Sequence, residues 1–312
     1  MTPKKSIDWS DDHHKQMLVW QRQGMWREDT LEKLADWLGI EPGMNVLDVG
    51  CGLGYLGYTW WPYIGEGGRY TGLDTSAKLL KEAEKSAEVW SEGGTAEFIE
   101  GDAVNLPFED NAFDWVMCQT LLMHLKEPER ALSEMERVVR PGGLISCNEP
   151  DNLSAMLARP FHSGPEPPLE YMVLSRKVVF IKYLGRIALG KGDMAIGAKL
   201  PHLFTQMGLT DIDIRMNDRV RFLEPPYESE DMQTRMKEMK TWFLEDGGYQ
   251  KVLAEDREEF LAGGGDAAEF DSLRDFADLT RQTIKDQLDR GEFYNLGAGP
   301  YFIAKGRKPS QM

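Results

Sequence analysis

The sequence predicts an α/β protein with a doubly wound, mostly parallel sheet of seven strands, flanked by an N-terminal helical segment and a helical insertion before the last strand. Three observations predict this fold class. Short apolar runs alternate with amphipathic helical segments roughly every 30 residues between 41 and 150. A glycine-rich turn follows the first apolar run, and a long acidic, helical stretch at 224–290 precedes the last strand.

The strands and helices are predicted in chain order from these patterns. A helix before Gly39 carries apolar residues at helical spacing, and a second helix ends near Trp61-Pro62. A third helix is expected at 76–91, with Ser76 as its N-cap, and a fourth at 128–139. The strands are expected at 45–49, 69–74, 96–102, 112–118, 143–150, 209–216 and 297–308, with a helix at 195–208.

The regular alternation of predicted strands and helices ends after residue 150, which indicates that the chain has further segments beside the core. We predict a helical lid at 1–40, a cofactor-binding core at 41–223, a helical insertion at 224–290, and the last strand with a tail at 291–312. The insertion is expected to break at Gly247-Gly248 and at 263–265. The methionines at 232, 236 and 239 share one helical face with Phe243, which is typical of a packing seam.

The net charge of −16 limits the partners that the chain is expected to bind. Nucleic acids and anionic membranes attract clustered Lys and Arg, so we expect neither partner. No apolar run approaches the ~18 residues of a membrane span. The three cysteines, Cys51, Cys118 and Cys147, are far apart, which favours a reducing, cytoplasmic location and disfavours a zinc site or any other bound metal.

The stretch "VLDVGCGLGYLG" at 46–57 fits two glycine patterns. Gly52, Gly54 and Gly57 match the G-x-G-x-x-G fingerprint of dinucleotide-binding proteins. Alternatively, Asp48 is followed by glycines at every second position, Gly50, Gly52 and Gly54. The dinucleotide interpretation leaves Asp48 and Gly50 unexplained, and Asp74 at the end of the next strand would suit a ribose under either interpretation.

The downstream sequence favours the second pattern. "FIEGDAVNLPFEDNAFDWVMCQTLLMHLKEPERALSEMERVVRPGGLISCNEPD" contains an acidic residue after the third strand, an "LPF-D-FD" run, an "L-H-L" segment and an "E-RV-RPGG" helix. Together with "VLDVGCGLG" and "YTGLD", this stretch resembles the class I (Rossmann-like) S-adenosylmethionine-dependent methyltransferases of the small-molecule type. The resemblance covers roughly residues 41–150, with weaker similarity at 196–214 and in the last strand.

The resemblance implies S-adenosylmethionine as the cofactor and S-adenosylhomocysteine as its product. The loop beneath the methionine half of the cofactor would comprise Asp48, Gly50, Cys51, Gly52 and Gly54. The remaining cofactor contacts would be Asp74 to the ribose hydroxyls, Thr75 and Leu79 beside the adenine, Asp102 and the Ala103 N–H to the adenine, and the backbone of Gln119 near the sulfonium. We expect no thiol chemistry from Cys51.

His124 and Glu149 are the candidates for a catalytic base, which is needed only for an acceptor that is protonated at neutral pH. Glu149 ends the fifth strand, where doubly wound sheets open onto their ligand crevice. The alternatives are an ordinary histidine at a helix start and a turn carboxylate before Pro150. Asn148, a weaker neighbour of this group, is a candidate acceptor-binding residue.

Two further groups are candidate acceptor-binding residues. Tyr171 and Arg176 follow the fifth strand, although packing would also explain them. Trp20, Met25 and Trp26 precede the first strand, where related enzymes place a lid, and aromatic faces there would shield the site or attract a cation. Packing of this N-terminal cluster against the core is the alternative.

The sequence therefore predicts an enzyme that moves a methyl group to O, N or C of a small-molecule acceptor by in-line displacement. An NAD-dependent oxidoreductase and a non-catalytic S-adenosylmethionine-binding regulatory protein are the alternatives. Aminopropyl transfer is a variant chemistry on the same fold. The insertion at 224–290 is expected to cap the acceptor site or to form a homodimer contact.

Overall fold

The computed structural model describes residues 25–158, 161–164, 166–218, 220–297 and 299–310. Its contacts divide the chain into two compact units. The first unit contains the chain up to Pro150, Ile196–Asp218 and the chain from Tyr301 onward. The second contains Asp151–Ala195 and Arg219–Pro300. Residues 151–195 thus group with the insertion, whereas the sequence pattern suggested that they continue the core.

The described strands form two sheets. In chain order they are β1 Asn45–Val49, β2 Arg69–Asp74, β3 Thr95–Glu100, β4 Phe113–Gln119, β5 Val139–Pro150, β6 Phe161–His162, β7 Thr210–Met216, β8 Arg221–Leu223, β9 Asn295–Gly297 and β10 Tyr301–Arg307. The first unit holds a seven-stranded sheet of order β3-β2-β1-β4-β5-β10-β7, and β6, β9 and β8 form a small sheet in the second. The predicted seven-stranded, doubly wound sheet is confirmed.

The five strands β1 to β5 are parallel, and β10 runs antiparallel to both β5 and β7. The carboxyl ends of β1 to β5 therefore share one edge of the sheet. Tyr301, the first residue of β10, pairs with Pro150 at that edge. This edge is the one at which α/β proteins bind ligands.

Helices cover both faces of the large sheet. In chain order the described α-helices are α1 Glu28–Leu38, α2 Tyr55–Ile64, α3 Ala77–Trp90, α4 Pro128–Val138, α5 Asn152–Leu157, α6 Leu169–Ala188, α7 Leu200–Gln206, α8 Glu230–Met239, α9 Asp246–Ala262 and α10 Ala267–Asp289. Strand side chains alternate between two apolar clusters. Val46 and Trp115 face one cluster, while Leu47 and Val116 face the other.

The N-cap prediction for α3 is confirmed, because the Ser76 hydroxyl oxygen accepts a hydrogen bond from the Leu79 N–H. The predicted end of α2 at Trp61-Pro62 is wrong, since the helix continues to Ile64. Pro62 lies in the last turn, where the missing N–H costs one bond. The Gly65 N–H still closes that turn on the Trp61 carbonyl at 2.9 Å.

Two other helix boundaries differ from the sequence prediction. The chain between α8 and α9 breaks at Glu245, and Gly247 lies inside the first turn of α9. Helix α9 therefore includes this glycine, although glycine is less favourable than alanine in a helix. The predicted helix at 195–208 is a 3₁₀ turn, Ile196–Lys199, followed by α7, with Pro201 near the start of α7.

The second unit has its own apolar clusters and buried ion pairs. The predicted packing seam on α8 is confirmed, because its methionines and Phe243 pack against a cluster that includes Leu223 and Phe293. Helices α6 and α9 approach closely at Gly185, where a Cβ would lie 1.7 Å from the Glu259 carbonyl oxygen. No helix within the described ranges is both long enough and apolar enough to span a membrane.

Candidate functional site

The glycine loop between β1 and α2 folds back onto the end of β2. Gly50, Gly52 and Gly54 have φ values of 73°, 54° and 75°, a region that side chains with a Cβ rarely adopt. The N–H groups of Gly50 and Cys51 both donate to the Leu73 carbonyl, at 2.7 and 3.0 Å. The three predicted loop glycines therefore share one tight turn at the carboxyl edge of the sheet, with a backbone conformation that glycine adopts readily.

Asp74 ends β2 directly beside this loop. Its Oδ2 accepts a hydrogen bond from the Gly52 N–H and its Oδ1 accepts one from the Ser76 N–H, both at 2.9 Å. Burial raises the pKa of Asp74, and the N–H groups of Ser76, Gly52 and Thr75 oppose that shift. A carboxylate offers about four acceptor positions. The carboxylate therefore keeps acceptor capacity that the ribose hydroxyls of a ligand could use.

Asp48 is held by a residue that the sequence analysis did not single out. The Tyr70 hydroxyl on β2 donates to Asp48 Oδ2 at 2.7 Å, and both residues are only 1% exposed. Burial, followed by the charge of Asp48, raises the pKa of Tyr70 well above its ordinary value, so the phenol remains a donor. In the sequence, the one indication of this contact was a tyrosine within a strand that was predicted to be buried.

The Cys51 side chain packs beneath the loop. A Cβ on Gly72 would lie 2.8 Å from the Cys51 sulfur, so this strand glycine makes room for the thiol. Burial first, and then the nearby Asp48 and Asp74, raise the pKa of the thiol well above its ordinary value. A protonated, buried thiol is a poor nucleophile, which agrees with the expectation of packing alone.

The residues expected around the adenine lie on the two segments that follow β2 and β3. Asp102 is exposed, and its Oδ1 accepts from the Val104 N–H at 3.0 Å, which leaves Oδ2 for a ligand. Ala103 is buried, and Thr75 is exposed. Leu79 is fully buried in the first turn of α3. The adjacent strands β2 and β3 bring these segments to the same edge of the sheet.

Gln119 is the last residue of β4, and it pairs in register with Asn148, which lies two residues before the end of β5. They are 4% and 3% exposed. Gln119 Oε1 and Asn148 Oδ1 accept no hydrogen bond from any described part of the chain. Two buried carbonyl oxygens thus lie near the carboxyl edge without a described partner. From the sequence, Asn148 was expected at the acceptor and Gln119 was expected to take part through its backbone.

Met25 and Trp26 are buried in the core of the first unit. The Met25 sulfur lies 2.7 Å from Gln119 Nε2, and the rings of Trp26 and Trp60 are 6.0 Å apart. These contacts are the packing alternative for the N-terminal cluster, and they place Met25 beside the site. Trp20 lies outside the described residues.

Glu149 and His124 are connected through the turn that follows β4. The buried Glu149 carboxylate accepts hydrogen bonds from the N–H groups of Leu121 and Leu122, each at 2.8 Å, and from Met123 at 3.4 Å. His124 is the last residue of the 3₁₀ turn that begins at Leu122. The same turn therefore contains His124 and supplies the backbone N–H groups that donate to the Glu149 carboxylate.

Tyr171 and Arg176 lie on α6 in the second unit. The Tyr171 ring stacks on Phe276 with centroids 4.1 Å apart, and Arg176 Nη1 donates to the Ser175 hydroxyl at 2.9 Å. Both residues thus have packing roles inside that unit. The other described candidate residues belong to the first unit.

The arrangement fits S-adenosylmethionine. This cofactor presents hydrogen-bond donors at its ribose, its adenine amino group and its ammonium group. The edge of the sheet offers acceptors at Asp74 and Asp102, the residues expected at the ribose and at the adenine. At Gly50 the loop lies close to the Leu121 side chain, because a Cβ on Gly50 would lie 2.8 Å from Leu121 Cδ1. Glycine is therefore the residue that fits at this position.

Comparisons with known proteins identify methyltransferases as relatives of this chain. A family model described as a methyltransferase domain matches residues 47–147. The demethylmenaquinone methyltransferase of Lysinibacillus sphaericus is 35% identical over 142 residues, covering 45% of this chain and 58% of the relative. The Desulfitobacterium hafniense enzyme of that name is 31% identical over 197 residues, covering 60% of this chain and 72% of the relative.

The chain thus spans little more than half the length of the first relative and nearly three quarters of the second. A solved complex between the Haloferax volcanii Trm112 methyltransferase activator and a methyltransferase superposes with a TM-score of 0.53 at 17% identity, covering 98% of this chain and 99% of that one. That similarity shows the fold. From the sequence relatives, the glycine loop and the strand order, the chain belongs to the class I S-adenosylmethionine-dependent methyltransferases.

Proposed function

We propose that the chain methylates a nitrogen or oxygen atom of a small-molecule acceptor that carries an N–H or O–H group. The observation that supports this proposal is the pair of buried oxygens, Gln119 Oε1 and Asn148 Oδ1, on neighbouring strands. An unpaired buried carbonyl costs about 1–3 kcal/mol, so a ligand that donates to it gains that much. An acceptor without a donor would leave both oxygens unpaired.

The reaction is an in-line displacement. S-adenosylmethionine supplies an electrophilic methyl group and leaves as a neutral thioether. The chain's contribution is to bind, to orient and to exclude water. Met25, which contacts Gln119 and is only 8% exposed, is proposed to exclude water beside Gln119, which would favour attack by a desolvated nucleophile. His124 is proposed as the proton acceptor where the bound nucleophile is protonated.

The same oxygens would also suit the ammonium group of the cofactor, and two variants separate these assignments. Asn148→Leu and Gln119→Leu are compared with the wild type for S-adenosylhomocysteine affinity by calorimetry and for the KM of the acceptor. A raised KM with unchanged cofactor affinity supports acceptor binding. A weakened affinity for S-adenosylhomocysteine with an unchanged KM assigns the oxygens to the cofactor and contradicts the proposal.

The first experiment is thermal unfolding with S-adenosylmethionine, S-adenosylhomocysteine and NAD in parallel. A ligand at 100 times its Kd stabilises the folded state by about 2.7 kcal/mol. Stabilisation by the two sulfur nucleosides is expected, and NAD should have no effect. Release of S-adenosylhomocysteine is then measured with panels of phenols, hydroquinones and amines, and with demethylmenaquinone, the compound for which the relatives are named. Turnover only with carbon nucleophiles would contradict the proposal.

The second unit is proposed to select the acceptor. The predicted homodimer contact through 224–290 is the other proposed role for this region, and light scattering of the full chain tests it. A monomer at all concentrations would contradict the dimer and leave acceptor selection as the role to test.

A further inference from the structure

We propose that Glu149 is a positioning residue, whose carboxylate holds the post-β4 turn (residues 120–124) over the glycine loop and thereby sets the affinity for S-adenosylmethionine. The proposal concerns the cofactor step alone and goes beyond the proposed acceptor chemistry. It assigns to Glu149 a role other than the proton transfer expected from the sequence.

The first argument is the use of the carboxylate. Oε1 accepts from the Leu121 and Leu122 N–H groups at 2.8 Å each, and Oε2 faces the Met123 N–H at 3.4 Å. Three successive N–H groups at the start of a 3₁₀ turn converge on one negative charge, which is the arrangement of a charged helix cap. Glu149 is 0% exposed, so water does not compete for these bonds.

The second argument is the strain in the turn that Glu149 holds. Thr120 has a φ of 49°, which is rare for a β-branched residue. The Thr120 N–H donates to the Asn148 carbonyl at 2.9 Å, and its hydroxyl donates to the Gln119 carbonyl at 2.8 Å. Such a conformation persists only where neighbouring interactions impose it. The Glu149 carboxylate supplies that constraint immediately after Thr120.

The third argument is what the held turn contacts. Leu121 follows Thr120, and its Cδ1 would lie 2.8 Å from a Cβ on Gly50. The Leu121 side chain therefore rests on the first glycine of the cofactor loop. A displacement of the turn would remove this packing from the loop, and Gly50 would lose one of the contacts that restrict it. The path from Glu149 to the cofactor thus runs through Leu121 and Gly50.

The test measures S-adenosylhomocysteine affinity by calorimetry in Glu149→Ala, Glu149→Gln and Leu121→Ala. Loss of charge-assisted bonds predicts that Glu149→Ala weakens binding roughly ten- to a hundredfold, while Glu149→Gln, which keeps an oxygen for two N–H groups, loses less. Asp266→Asn is the matched control, because Asp266 also accepts a backbone N–H, from Ala268 at 2.7 Å, but in the second unit. It should leave the affinity unchanged.

A local readout separates positioning from general damage to the fold. Hydrogen exchange of the amides of Leu121, Leu122 and Met123 should be slow in the wild type, faster in Glu149→Ala and intermediate in Glu149→Gln. The Leu121→Ala and Glu149→Gln changes should also be non-additive, because they act through the same turn. If Glu149→Ala does not fold, Glu149→Gln and Leu121→Ala still decide the matter.

Three results would overturn the proposal. These are an unchanged S-adenosylhomocysteine affinity in folded Glu149 variants, strictly additive effects with Leu121→Ala, and unchanged amide exchange in the turn. A wild-type chain that binds no S-adenosylhomocysteine would instead overturn the cofactor assignment itself. The acceptor proposal is independent of all these measurements, because none of them uses an acceptor.

Discussion

Oδ2 of Asp74 accepts a hydrogen bond from the N–H of Gly52 at 2.9 Å. This contact connects the end of β2 to the glycine loop that follows β1, and the two residues are 22 positions apart in the sequence. The proposed ribose-binding carboxylate and the loop beneath the methionine half of the cofactor therefore form one structural element. Removing the carboxylate should affect both.

Replacement of Asp74 should weaken cofactor binding. A charge-assisted hydrogen bond contributes ~1.5–3 kcal/mol, so Asp74→Ala should raise the Kd for S-adenosylhomocysteine roughly ten- to a hundredfold. Calorimetry measures the change, with Glu88→Ala, an exposed carboxylate on α3, as the control. An unchanged affinity in Asp74→Ala would remove Asp74 from the cofactor site.

Cofactor affinity should decrease in acid. Burial raises the pKa of Asp74 above its ordinary 3.8, and only the ionised carboxylate accepts both ribose hydroxyls. Binding is thus complete above that raised pKa and is lost as the pH falls through it, at a higher pH than for an ordinary aspartate. S-adenosylhomocysteine titrations in the wild type and in Asp74→Asn measure this loss, and an identical pH dependence in both proteins would contradict it.

The same shift has the opposite sign for folding. A carboxyl whose pKa is raised in the folded state contributes stability below its unfolded pKa, and that contribution is lost as the pH rises through the folded pKa. At neutral pH the buried Asp74 carboxylate is therefore a cost to the ligand-free protein. A bound ligand that donates hydrogen bonds to the Asp74 carboxylate would offset this destabilisation.

Tyr70→Phe should destabilise the first unit. The change leaves Asp48, which is 1% exposed, without its 2.7 Å hydrogen bond from the phenol. The cost of about 1–3 kcal/mol should lower the unfolding midpoint by roughly 2–4 °C per kcal/mol. Differential scanning calorimetry checks this, with Tyr58→Phe, at an exposed position, as the control. Equal midpoints for the two variants would show that the Asp48 bond contributes no net stability.

Two glycine substitutions in helices should have opposite effects. A Cβ on Gly57 would lie 2.7 Å from Trp90 and 2.8 Å from Tyr70, so Gly57→Ala should cost about 1–3 kcal/mol through overpacking. Gly247 has nothing within 4 Å, so Gly247→Ala should gain up to about 1 kcal/mol from helix propensity. Chemical denaturation measures both changes. Stabilisation by Gly57→Ala would show that α2 is not held against β2 by this glycine.

Gly57 also explains why the glycine pattern at 46–57 was ambiguous. It packs a helix against Tyr70 and Trp90, which is the role that the third glycine has in dinucleotide-binding folds. The spacing of glycines alone therefore did not distinguish the two cofactors. Asp48 and the motifs downstream of β3 distinguished them, because they have no place in the dinucleotide fingerprint.

The sequence by itself determined the strands of the large sheet, the helices of the first unit and the cofactor loop, because period, caps and glycine positions act over a few neighbouring residues. It missed helix α6, Leu169–Ala188, and the small sheet of β6, β9 and β8. β1 and β2 lie where they were predicted, at Asn45–Val49 and Arg69–Asp74. The extension of α2 past Pro62 and the break at Glu245 were missed, since single hydrogen bonds and first-turn positions decide them.

Only the tertiary structure decided which side chains meet at the site. Tyr70 and Asp48 are 22 residues apart, and Glu149 is 28 residues from Leu121. Pairing of parallel strands brings them together, and no local pattern encodes that register. For the same reason, the sequence predicted Glu149 as a base, whereas its contacts are backbone N–H groups that become neighbours only when β4 and β5 pair.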